Sequence, residues 1–267
     1  MRVVVFLASL SLALGFSPSR LLSSRSLIVG GVEAPANSRP YQVSVLNSND
    51  GKDQSCGGTL VHPEWVVSAA HCIGPPSVWV GVGFHDLGDT AADGATVIKG
   101  KWIPHPGFDP STVDNDIALI KLDQPAVLSN SVKTIPIVSA NSDVASGTSL
   151  LVSGWGKVKH GGALSKVLRQ VVVKGVSRST CLNNYGYGIT DNMFCAAAPG
   201  KDSCTQDSGG PIVIGFDENK HVDGVTLAGI VSWGIGCADS NYPGIYARVS
   251  RYCDWRDTKT SGVVKCS

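Results

Sequence analysis

Three short segments of this 267-residue chain carry residue types that could together activate an alcohol. SAAHC places His71 beside Cys72, DNDIALIKL opens an apolar run with Asp116, and DSGGP sets Ser208 inside a glycine-rich turn. An alcohol is a poor nucleophile until a base accepts its proton in the transition state, and a neutral imidazole oriented by an ionised carboxylate is such a base. Taken singly, each segment has a plainer meaning: a surface or core histidine among six, an aspartate before a strand, a serine in a turn. Their conjunction, in the order His, Asp, Ser and all in strand-and-loop contexts, points to acyl transfer. Other hydrolytic plans fit less well, because the chain has no G-x-S-x-G elbow, no H-E-x-x-H and no paired C-x-x-C.

The elements that must position these residues read as strands. Short β-branched runs recur between Gly, Pro, Asn and Asp punctuation at Tyr41–Leu46, Trp65–Ser68, Val78–Val82, Ile117–Leu122, Ser149–Ser153, Val167–Val173, Pro211–Ile214, Val225–Ser232 and Gly244–Val249. Such spacing without interleaved helical periods predicts an all-β antiparallel sandwich or barrel in two packed halves, divided within Asn130–Gly147. One helix is expected, over Ser250–Thr258 with Ser250 as its cap. A hydrophobic share of 43% and a charged share of 16% describe a chain with a real core. Lys+Arg 22 against Asp+Glu 21 leaves no concentrated basic surface for nucleic acid or an anionic membrane.

The N-terminus reads as a targeting segment. Met1-Arg2 precedes an uncharged run from Val3 to Leu14, with small residues Ala13 and Gly15 at its end. As a helix that run rises only about 18 Å, against a bilayer core of roughly 30 Å, so residues 1–15 are expected to be a secretory signal peptide and not an anchor. The Ser-rich basic stretch 16–27 reads as a propeptide, leaving 28–267 as the folded domain. Eight cysteines, an even number behind a signal, imply an oxidising compartment and about four disulfides.

On the His71, Asp116 and Ser208 segments, the chain resembles the trypsin-like, chymotrypsin-fold serine proteases over essentially all of Ile28 to Thr258. The resemblance implies two packed six-stranded antiparallel β-barrels with a short C-terminal helix and an active site between the barrels. It makes Ser208 the nucleophile, His71 the general base and Asp116 the group that orients it, with the backbone N–H groups of Gln206 and Ser208 as the oxyanion hole. Asp202, six residues before Ser208, falls where trypsins carry the acid of the specificity pocket, which implies cleavage after Lys or Arg. Gly234 and Gly244 match the glycines at the pocket mouth, and Ser232 and Trp233 the strand that lines it. The freed amino group of Ile28, first residue of IVGG, would pair with Asp207 on activation of a zymogen. The same likeness pairs Cys56 with Cys72, Cys181 with Cys195 and Cys204 with Cys237. Cys253 and Cys266 then pair by exclusion. Leu150 and Ile214 stand where many relatives have one further bridge. No cofactor and no metal are implied; Asp86, Asp89 and Asp93 do not reproduce the calcium-ligand pattern of some relatives. Partners would be protein or peptide substrates and protein protease inhibitors, acting on a secreted monomer.

Two positions depart from the family pattern. Gln206 stands where relatives nearly always have Gly, so a side chain sits at one oxyanion donor. Leu27 precedes Ile28, and a cut at the nearest basic residue, Arg25, would leave Ser26-Leu27 ahead of Ile28. Maturation then needs a protease that accepts Leu, or trimming after a first cut. These departures keep open a second reading, a protease-fold binding or decoy protein with weak or no catalysis.

Overall fold

The computed structural model describes residues 31–89, 94–157, 162–186, 188–199, 206–218, 223–236 and 241–266. The signal peptide, the propeptide, Ile28, Asp202, Cys204 and Cys237 therefore lie outside the described residues.

Strand faces explain the architecture. In β5 (Ser77–Val82), Val78, Val80 and Val82 recur at period two and are all buried. They meet Val43 and Val45 of β2 (Gln42–Leu46), Leu60 of β3 (Gln54–His62), Val66 of β4 (Trp65–Ser68) and Ile120 and Leu122 of β7 (Ala118–Leu122). With β6 (Thr96–Pro104) these strands close into an antiparallel six-stranded barrel in the order β2-β3-β4-β7-β6-β5. A second barrel is built from β8 (Ser149–Gly154), β9 (Arg169–Val176), β10 (Met193–Ala197), β11 (Pro211–Ile214), β12 (Thr226–Trp233) and β13 (Gly244–Arg248). Its order is β9-β10-β13-β12-β11-β8, closed by the β8–β9 pair, with β1 (Val32–Glu33) added to β9.

The alternate residues of β4 and β7 dock the barrels. Trp65, Val67 and Leu119 point away from the first barrel core and pack with Leu151, Val213, Leu227 and Ile230 of the second. Both faces of these strands are thus apolar, and each such side chain contributes about 1.5–3 kcal/mol when fully buried. Residues 123–148 join the barrels without a strand. Leu150, Val173 and Ile212 share the core of the second barrel, and Ile214 packs against it.

Trp65–Ser68 and Pro211–Ile214 match the strands read from sequence, and the others differ by a few residues at their ends. β1, β3, β6 and β10 are not evident in the sequence. Gly57-Gly58 in β3 looks like a turn, yet these glycines serve close packing: a Cβ on Gly58 would lie 2.8 Å from Val66 Cγ1. Gly100 in β6 is alike, 2.8 Å from Ile120 Cγ2. A helix that periodicity did not reveal, α1 (Arg178–Tyr185), buries only Cys181 and so has no apolar stripe to read. Ser177 caps it by accepting Thr180 N–H at 3.1 Å, and Cys181–Cys195 ties it to β10. The C-terminal helix α2 spans Cys253–Thr260 behind a 3₁₀ turn, Val249–Tyr252, which corrects its expected start. Ser250 is not its cap, because its hydroxyl donates to the Ser142 carbonyl at 2.7 Å instead. Disulfides Cys56–Cys72 and Cys253–Cys266 complete the described bridges. Among the described residues no helix is long and apolar enough to cross a membrane.

Candidate active site

The first barrel holds His71 and Asp116. β4 ends at Ser68, Ala69 and Ala70 are buried, and a 3₁₀ turn over Ala70–Cys72 lifts His71 out of the sheet so that its ring is 31% exposed. Cys72 is anchored to Cys56 of β3 by its disulfide, which fixes the chain next to the imidazole. Asp116, 1% exposed, follows Asn115 at φ 54°, a bend that turns its carboxylate toward this segment. Asp116 Oδ1 accepts the His71 backbone N–H at 2.9 Å, and Oδ2 accepts from His71 Nδ1 at 2.8 Å and from the Ser232 hydroxyl at 2.5 Å. A carboxylate only accepts, so the His71 Nδ1 that faces Asp116 carries the proton of that bond. Three donors also satisfy a charge that would otherwise be costly to bury.

The second barrel holds the serine. Ser208 sits, half-buried, in the turn that enters β11, and the Gly210 N–H closes that turn on the Asp207 carbonyl at 2.9 Å. Gly209 has φ 79°, and a Cβ there would lie 2.6 Å from the Gly57 carbonyl and 3.2 Å from Ala69 N. Only glycine allows the turn to pack this closely on β3 and on the residues just before His71. The turn is bonded on both sides: Gly209 N–H to Val231 O and Gly57 N–H to Ser208 O, each at 2.8 Å. Ser68, from the SAAHC segment, supports the same place by donating to Gly57 O at 2.8 Å.

Asp207 is buried, and one of its oxygens accepts the Gly156 N–H at 2.8 Å. Gly154 and Gly156 make its room, since a Cβ on either would collide with the carboxylate. Gln206 adopts φ 74°, the left-handed region, which costs a residue with a Cβ about 1–2 kcal/mol. Its side-chain Nε2 donates to Gln54 O at 3.1 Å, while Gln54 Nε2 donates back to Gln206 O at 3.3 Å. The backbone thus takes the conformation a glycine would take, with the side chain tied to β3.

The strand beside the turn carries the remaining residues. β12 is bulged against β13 between Val231 and Trp233, and that bulge turns Ser232 inward to Asp116. Beyond it, a Cβ on Gly234 would meet Gly244 Cα at 3.9 Å, an ordinary contact distance, so the two glycines are neighbours. Trp233 is backed by the Tyr185 ring of α1, with centroids 5.3 Å apart, and Tyr185 donates to Pro243 O at 2.7 Å.

Of the residues singled out in the sequence, His71, Asp116, Ser208, Gln206, Ser232, Gly234 and Gly244, hydrogen bonds join His71, Asp116 and Ser232, and the turn that carries Gln206 and Ser208 packs through Gly209 on Ala69, two residues before His71. Sequence reasoning missed Gln54, Gly57, Ser68, Gly154 and Gly156, which support the site through backbone contacts. Cys56, His71 and Cys72 converge closely enough to suggest metal ligands, but both sulfurs belong to a disulfide and offer no thiolate.

A family model described as Trypsin matches residues 28–256. Among curated proteins, a trypsin of Sus scrofa is 43% identical over 231 residues, 85% of this chain and 93% of the relative. The vitellin-degrading protease of Bombyx mori is 40% identical over 239 residues, 86% of this chain and 84% of the relative. Trypsin I-P38 of Gallus gallus is 39% identical over 264 residues, 98% of this chain and 99% of the relative.

Proposed function

The chain belongs to the trypsin family of serine endopeptidases, and on that premise we propose that it is secreted as a zymogen and cleaves peptide bonds after Lys or Arg. The observation that carries the reading is the cleft in which Asp116 binds His71 at 2.8 Å and the Ser208 turn packs on Ala69. Substrates are proteins or peptides.

In this mechanism His71 Nε2 takes the Ser208 proton as Oγ attacks the scissile carbonyl carbon. The carbonyl π electrons move to oxygen, and the backbone N–H groups of Gln206 and Ser208 stabilise that oxyanion. Collapse of the tetrahedral species breaks the C–N bond, and His71 returns the proton to the departing amine. Water, activated in turn by His71, then hydrolyses the acyl ester on Ser208 and frees the enzyme. Asp116 keeps the Nδ1 proton in place and stabilises the imidazolium of each transition state.

The specificity reading rests on Asp202, which falls in sequence where trypsins carry the acid of the pocket, together with Gly234 and Gly244 at the positions of the pocket-mouth glycines. A carboxylate out of water would pair with a long cationic side chain and be left uncompensated by an apolar one. Trp233 and Ser232 belong to the strand that would run beside the substrate backbone. Activation would bring the Ile28 amino group to Asp207, ordering the turn that carries Gln206 and Ser208. Residues 1–15 as a signal peptide, 16–27 as the propeptide and 28–267 as the active domain complete the reading. Because Leu27 precedes Ile28, the activating step is not simple tryptic self-cleavage.

The test uses protein with Ile28 verified as its N-terminus, assayed on paired amide substrates with Arg, Lys, Phe or Leu on the acyl side. Turnover confined to Arg and Lys, absent in Ser208→Ala, is the expected result. Equal turnover of Phe or Leu substrates would overturn the specificity. Failure of an acylating reagent to titrate Ser208 would favour the decoy reading instead.

A further inference from the structure

We propose that Gln54 is a positioning residue for the oxyanion-hole turn, and that Gln54 and Gln206 form a reciprocal clasp across the cleft that holds Gln206 in its left-handed conformation. The inference rests on the endopeptidase reading and deepens it.

Three observations converge on the clasp. Gln206, at φ 74°, occupies a backbone region where glycine is at ease and a side chain is not, so its conformation must be held by its surroundings. Each glutamine gives its side-chain amide to the other's carbonyl, at 3.1 and 3.3 Å, closing a ring between β3 of the first barrel and the turn of the second. Gln54 is itself 3% exposed, and its Nε2 also donates to Cys56 O at 3.2 Å, so two carbonyls fix which way its amide faces.

The position of Gln54 gives this local pairing a catalytic consequence. It begins β3, and three residues later the Gly57 N–H holds the Ser208 carbonyl at 2.8 Å. One strand of the first barrel thus grips the carbonyls of the residues on either side of Asp207, Gln206 and Ser208. The N–H groups of Gln206 and Ser208 belong to that same stretch, so loosening one grip lets one donor swing while the other stays. A donor that wanders stabilises the oxyanion less but leaves substrate binding in the pocket untouched. The clasp also makes sense of a Gln at a glycine position, because the side chain that strains the backbone supplies one of the bonds that holds it.

The experiment compares four proteins with Ile28 as the verified N-terminus: the natural chain, Gln54→Ala, Gln206→Gly and the double variant. Gln54→Met, unbranched and of similar length, stands in if Gln54→Ala folds poorly, and thermal unfolding is followed throughout. In the natural background, loss of Gln54 should lower kcat about tenfold, less than the 10²–10³ for outright removal of an oxyanion donor. Affinity for a peptide aldehyde, which forms a tetrahedral oxyanion on the serine, should weaken by the same factor. KM and the affinity for an aryl amidine, which fills only the pocket, should stay within twofold. In the Gln206→Gly background, loss of Gln54 should change kcat by less than twofold, because glycine takes the conformation unaided. An equal fall in both backgrounds, an unchanged kcat in the natural one, or failure of both Gln54 variants to fold would overturn the clasp. A natural chain that never acylates would instead overturn the endopeptidase reading beneath it.

Discussion

The two barrels hold their shares of the site in different ways. In the first, His71 and Asp116 are fixed by a short 3₁₀ turn, a disulfide to β3 and a carboxylate with three donors, all within or beside regular structure. In the second, Ser208 sits on a turn whose conformation depends on Gly209 and Gln206 at positive φ and on a strand of the other barrel. Support also runs the opposite way, since Ser232 of the second barrel binds Asp116 of the first. The His71–Asp116 pair is built in and the Ser208 turn is held from across the interface, so their relative placement is only as accurate as the packing of Trp65, Val67 and Leu119 against Leu151, Val213 and Leu227.

The largest test of this contrast removes the reacting groups. Ser208→Ala and His71→Ala should each lower kcat by about 10⁶, and the double variant should be no worse than either single one, because the two act as a unit. Additive losses, measured with active-site-titrated protein, would mean that the halves do not cooperate. Next in size is Gly209→Ala, which strains the turn and drives a Cβ against the Gly57 carbonyl and Ala69 N. Misplacing the nucleophile by about 1 Å should lower kcat near 10²-fold, and stability should fall by at least about 2 kcal/mol. If Gly209→Ala kept full turnover, the turn would be more tolerant than its packing implies. Smaller still is Ser232→Ala. It removes one donor to a buried carboxylate that keeps two others, so a loss of about 1.5 kcal/mol, or roughly tenfold in kcat, is expected with KM unchanged. A larger loss would show that the second barrel holds the first barrel's acid more firmly than the two His71 bonds do.

The same contrast separates what was legible in the sequence from what was not. Strands such as Trp65–Ser68 and Pro211–Ile214 announce themselves by β-branched residues between turn residues. The residues proposed for the chemistry, His71, Asp116 and Ser208, sit in short segments whose composition is unusual enough to read. Residues that support them do so through carbonyls and N–H groups, which leave little trace in side-chain type. Gly57 has no side chain to announce its role, yet it is a strand residue on which a Cβ would lie 3.0 Å from Gly210 Cα. Gln54 carries no motif at all, and only the fold brings it to Gln206, 152 positions away. α1 escaped for a related reason, because a helix bound to its barrel by a disulfide needs no apolar stripe.

The smallest expected effect on turnover comes from the region furthest in role from the cleft, the C-terminal disulfide Cys253–Cys266. Replacing both cysteines by alanine should leave kcat and KM unchanged, since neither residue contacts the cleft groups described above. Stability should nevertheless fall by roughly 3 kcal/mol, the chain-entropy expectation for a loop of this size. A second contribution adds to it. Arg256 is fully buried on α2, its Nη2 donates to the sulfurs of both Cys253 and Cys266, and burial pushes its guanidinium down to about 10. Alanines remove these acceptors from a buried cation, so the loss measured by urea unfolding should exceed the loop term alone. Arg256→Met in the disulfide-free background should recover part of that excess, because an apolar chain of similar reach needs no acceptor. If turnover fell along with stability, the C-terminal helix would be coupled to the cleft, and the separation between a rigid scaffold and an adjustable nucleophile turn would not hold.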